Sequence, residues 1–170
     1  MPSRDNKKNS WPKKTAVLGL SLTLAMILSY VETLIPINFG IPGLKLGLCN
    51  LVVLFLLYRE DAPSALLVSF TRILLSGLLF TGVFGFLYSL AGGMLSFLLM
   101  FLLKKTDRFS VVPISLLGGM AHNTGQLFVA LLVISNLNLF YYLPVLLLSG
   151  AVTGLIVGLL AQAVLRRISR

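Results

Sequence analysis

At 170 residues, with 57% hydrophobic and only 11% charged residues, the chain is too apolar for an ordinary soluble domain and falls in the integral membrane class. Its formal charge of +9 is carried by short basic clusters between apolar runs, the way a membrane protein marks its cytoplasmic side, so the charge points away from nucleic acid. One cysteine, Cys49, leaves no internal disulfide, and one histidine leaves no credible zinc set.

Residues Met1 to Lys14 carry Arg4, Lys7, Lys8, Lys13 and Lys14 among Asn, Ser and Pro, a composition that reads as a disordered basic tail. Apolar runs follow at about Thr15–Ile35, Leu44–Tyr58, Ala62–Phe80, Val83–Leu103, Val111–Ile134 and Phe140–Leu165, most of them long enough to cross the hydrocarbon as helices and the second somewhat short. The first is longer than a signal-peptide core and lacks a clear cleavage site, so it reads as a retained helix. The expectation is an all-α integral membrane bundle of six transmembrane helices over residues 15–170. Basic residues alternate between connections: the tail, Arg59, the Lys104, Lys105 and Arg108 cluster, and Arg166, Arg167 and Arg170 hold all of them except Lys45 and Arg72. That alternation predicts cytoplasmic N and C termini.

In the first run Ser21, Ala25 and Ser29 recur at four-residue spacing, a flat face for close helix packing or for docking a separate membrane subunit. Gly150, Gly154 and Gly158 in the last run, and Gly85, Ser89 and Gly93 in the fourth, read most simply as packing seams.

Two stretches bring polarity into the membrane. Gly40 to Asn50 sets glycines, a proline, Lys45 and Asn50 between two apolar runs, a permissive turn carrying polar side chains to membrane depth. Gly118 to Gln126 places His122 and Gln126 four apart on one helix face, with Asn123 about 100° round. At about 1.5 Å rise per residue Arg72 and His122 fall near the midplane, while Glu32, Lys45 and Asn50 lie toward the outer side. Glu32 is the one acid inside an expected span, too far in depth from Arg72 for easy contact; Lys45 is the easier partner. Arg72 is therefore expected to face a cavity holding water or an anionic ligand group. There is no aspartate-rich diphosphate motif, no phosphate-cradling loop and no recognisable nucleophile and base pair, so no catalytic residue, metal or cofactor is expected.

Glu32 to Pro36, Pro42 to Asn50, Arg72, Leu75 to Gly77 and Ala121 to Gln126 together resemble a bacterial membrane family called the Gx transporter family, also known as heptaprenyl diphosphate synthase component I. That family is in turn similar to the substrate-capturing S components of energy-coupling factor (ECF) transporters. The resemblance implies a six-helix protein of the bacterial cytoplasmic membrane that binds a small molecule near the outer face and docks on a T component carrying two ATPases. It would line a pocket with Lys45, Asn50, Arg72, His122, Asn123 and Gln126, and dock through Ser21, Ala25 and Ser29. The family docking face usually has two alanines four apart; here a serine precedes Ala25. The synthase name implies instead an accessory subunit of a prenyltransferase in isoprenoid or quinone synthesis. A plain membrane anchor for another complex is the third reading.

Overall fold

The computed structural model describes residues 11–35 and 45–168. Most of the basic tail, the end of the Glu32 to Pro36 motif and the Gly40 to Leu44 part of the glycine-rich turn lie outside the described residues. Among the described residues every regular element is helical: α1 Trp11–Leu34, α2 Asn50–Arg59, α3 Ala62–Ser76, a π-helical turn Gly77–Thr81, α4 Gly82–Lys105, α5 Val111–Ile134, a 3-10 segment Leu137–Tyr142 and α6 Leu143–Ile168. Helix α1 thus begins inside the expected tail, and its Lys14 pairs with Asp61 at 2.6 Å. Asp61 also caps α3, accepting the Ser64 N–H at 2.8 Å, with Pro63 in the first turn where its missing N–H costs nothing.

Four stretches are long and apolar enough to cross a membrane: Pro12–Leu34, Ala62–Lys105, Val111–Ile134 and Leu137–Ile168. Large apolar side chains such as Leu20, Leu78, Phe84, Leu132 and Leu148 point outward, as a bilayer solvent requires. The expected second span is realised differently. Helix α2 has ten residues, about 15 Å, which does not cover a hydrocarbon layer of about 30 Å, and the chain before it is an irregular turn.

The stretch Ala62–Lys105 is not one rod. A methyl group on Gly93 would lie 2.8 Å from Ile73 Cδ1, and one on Gly77 would lie 2.8 Å from Phe86 Cβ. A straight helix would hold residues 73 and 93 about 30 Å apart, so α3 and α4 fold back on each other. The reversal falls at Gly82, whose φ of +66° with ψ of −169° is a conformation that glycine alone adopts without strain.

Packing is closest where glycines meet. Gly150 lies against Gly119, where a Cβ would come 2.5 Å from the Gly119 carbonyl oxygen, while Gly154 and Gly158 lie against the Ser115–Leu116 and Val112 backbone of α5. Gly92 and Gly125 bring α4 and α5 into similar contact. The glycine ladder of α6 is thus a seam within the bundle. The main core gathers Ala25, Val52, Val53, Leu56, Val68 and Met100, so α2 is wrapped by its neighbours despite its length.

Candidate ligand site

The turn at residues 45–49 organises the polar side chains around it. The Lys45 N–H donates to Gln126 Oε1 at 3.1 Å, the Leu48 N–H donates to Glu32 Oε1, and the Cys49 thiol reaches Glu32 Oε2 at 3.4 Å and Ser29 Oγ at 3.1 Å. Gly47 has φ of +83°, and a side chain there would meet His122 Cδ2 at 3.0 Å and Asn50 Nδ2 at 3.1 Å. Only glycine lets the backbone rest on the imidazole in this way.

Glu32 therefore does not pair with Lys45. Among the described residues the ion pair within bonding distance is Lys14 with Asp61, and the Glu32 carboxylate is engaged by the turn's own donors. Depth brought Lys45 and Glu32 to one level, but the carboxylate oxygens are taken by the Leu48 N–H and the Cys49 thiol. Lys45 Nζ is buried with no hydrogen-bond partner.

Arg72 comes from the C-terminal third of α3 and is 2% exposed; His122, from the middle of α5, is also 2% exposed. Both border the Gly92–Gly93 pair of α4: a Cβ on Gly93 would lie 3.7 Å from Arg72 Nη2, and one on Gly92 would lie 3.1 Å from His122 Cε1. Lys45 lies near enough to Glu32 and Arg72 to feel both charges, and His122 near enough to Arg72 and Lys45. Arg72 Nε and Nη2 and Asn50 Nδ2 are buried without partners. Gln126 Nε2 lies 2.7 Å from His122 Nε2. Because Gln126 Oε1 already accepts from Lys45, its amide nitrogen faces the ring, and His122 Nε2 must be the acceptor.

The structure thus brings Lys45, Asn50, Arg72, His122 and Gln126 together and adds Glu32, Ser29 and Cys49, which composition alone did not single out as a group. Asn123 is placed apart: its Nδ2 donates to the Leu146 carbonyl at 2.8 Å and approaches Ser149 Oγ at 3.4 Å, clamping α5 to α6. Ser21, Ala25 and Ser29 are buried, with Ala25 in the core against α2 and Ser29 on Cys49. Docking through that face would require α1 to part from α2.

The side chains of the cluster are buried. A cavity of about 930 Å³ opens at the basic end, bounded by Lys13, Lys14, Arg59 and Glu60 over Phe55 and Ile168, and another of about 320 Å³ sits at the Gly77–Gly82 bend. Neither is lined by Lys45, Arg72 or His122.

These features define an all-helical membrane protein with a buried, cation-rich polar centre. The family model described as heptaprenyl diphosphate synthase component I matches residues 22–164, and the chain belongs to that family. No curated protein and no solved structure matches it.

Proposed function

We propose that the chain is a membrane-embedded subunit, without chemistry of its own, that holds a small anionic ligand among Lys45, Asn50, Arg72, His122 and Gln126. The observation that carries this reading is the buried Arg72 guanidinium with Nε and Nη2 unpartnered. A buried charge left uncompensated costs several kcal/mol, and a membrane interior offers no water to offset it. An anion supplied from outside the chain relieves that cost.

The proposed topology is six passes with both termini cytoplasmic, the second made by the short α2 together with the irregular turn before it. It is supported by the fold-back at Gly82 and by the grouping of Lys14, Asp61, Arg59 and Lys104 at one end, where Lys104 Nζ donates to the Leu57 carbonyl. The family description supports the other component of a heptaprenyl diphosphate synthase as partner, with this chain as its membrane accessory. A second reading, an S-component-like subunit of an ECF transporter in a bacterial cytoplasmic membrane, is favoured by depth. Glu32 and the 45–49 turn lie toward the end opposite the basic rim, on the side from which an external ligand would arrive.

Native mass spectrometry of the detergent-purified full chain tests the reading. A retained small molecule in the wild type that is lost in Arg72→Ala is expected; a wild type that carries nothing sinks it. Co-purification from membranes separates the partners: a prenyltransferase in the first case, a T component with ATPases in the second.

A further inference from the structure

We infer that the ligand's head group is a single carboxylate bearing one negative charge, and that a diphosphate does not fit; this rests on the ligand-holding role proposed for the cluster. The shape of the free donors sets the first half of the inference. Arg72 Nε and Nη2 form one side edge of the guanidinium, two parallel N–H groups in a plane, and they are the unpartnered atoms. That edge matches the two oxygens of a carboxylate tooth for tooth. Lys45 Nζ and Asn50 Nδ2 are donors as well, so every unpartnered atom named at this turn seeks an acceptor.

Charge sets the second half. Lys45 and Arg72 are two cations and Glu32 is one carboxylate near Lys45, while His122 accepts at Nε2 from the Gln126 amide and is the neutral imidazole. Glu32 is held in place by the Leu48 N–H and the Cys49 thiol, so it remains as a resident counter-charge when a ligand enters. The cluster therefore lacks one negative charge. A monoanion closes the balance; a diphosphate, with two or three charges, would leave an uncompensated anion beside Glu32 in a low-dielectric interior.

The test is the identity and the retention of the molecule that survives purification of the full chain from its own membranes. A compound with one carboxylate and no phosphorus is expected. In Arg72→Lys, which keeps the charge but not the two-pronged edge, retention should fall about tenfold or more. Its melting temperature in detergent without ligand should stay near that of the wild type. In Glu32→Gln, which raises the site by one positive charge, added phenyl phosphate should displace the retained compound at concentrations that leave the wild type loaded.

A retained phosphate or diphosphate overturns the carboxylate assignment while leaving the ligand-holding role intact. Full retention by Arg72→Lys overturns the fork, and equal displacement from wild type and Glu32→Gln overturns the charge balance. A wild type that retains nothing removes the ligand-holding role itself, and this inference with it.

Discussion

Gln126 Oε1 accepts the backbone N–H of Lys45 at 3.1 Å, joining residues 81 apart in sequence, and the same carboxamide turns its nitrogen to His122. One side chain thus pins the polar turn to α5 and fixes the imidazole with its proton on Nδ1. Gln126→Ala orphans a buried N–H and should destabilise the protein by about 1–3 kcal/mol, read by thermal unfolding in detergent. The 15N shifts of His122 should report the Nδ1–H tautomer in the wild type. An Nε2–H signature would mean that Gln126 does not set the ring.

Glu32 holds the other side of the turn. Glu32→Ala leaves the Leu48 N–H without its acceptor and the Cys49 thiol with Ser29 alone, so the turn should lift more often, whereas Glu32→Gln keeps one carbonyl oxygen and should do so less. Cys49 is the chain's only cysteine and is buried, so maleimide labelling reads this opening directly. Labelling should be slow in the wild type, fastest in Glu32→Ala and suppressed again by bound ligand. Equal rates in all three would show that the turn does not gate the cluster.

How much of this was legible in the sequence depends on what each signal measures. Apolar run length placed the four stretches long enough to cross a bilayer, though not the short second run, because burial in lipid needs little more than length and hydropathy, and glycine spacing placed the α5–α6 seam because a four-residue repeat fixes one helix face. The same spacing does not say which way a face points, and the Ser21, Ala25 and Ser29 face turned inward onto α2. Depth placed Lys45 level with Glu32, but side-chain direction is set by a turn whose φ values no periodicity encodes. Asn123 was separable from His122 by its angle around α5, yet its partner, the Leu146 carbonyl, comes from another helix. Arg72 was the most legible member of the buried cluster, since a cation in an apolar helix has few structural excuses.

The α5–α6 crossing leaves no room for a side chain. A Cβ on Gly150 would stand 2.5 Å from the Gly119 carbonyl oxygen, and backbone cannot move aside as a flexible side chain can. Gly150→Leu should therefore separate the two helices and cost at least the roughly 1–3 kcal/mol typical of overpacking. Gly19→Ala is the matched control, because a methyl there meets nothing within 4 Å and improves helix propensity in α1. Comparable losses in both variants would mean that close backbone approach is not what holds α6.

At the basic end, Asp61 serves two partners, Lys14 at 2.6 Å and the Ser64 N–H at 2.8 Å, and the bond from Lys14, followed by those from Ser64, lowers its carboxyl pKa to about 2. A carboxyl depressed in the folded state contributes stability that is whole above its unfolded value near 3.8 and is lost as pH falls toward 2. The pair is solvent-exposed, so the ionic part is screened and small, and the helix cap should dominate. Asp61→Asn, which can still cap α3, should leave stability nearly unchanged at pH 7, whereas Asp61→Ala should lose about 0.5–2 kcal/mol. Lys14→Ala should behave like Asp61→Asn and should flatten the loss of stability between pH 4 and pH 2. If Lys14→Ala instead cost as much as Asp61→Ala at neutral pH, the tether between α1 and α3 would outweigh the cap, and the first helix would be held to the bundle chiefly by this surface pair.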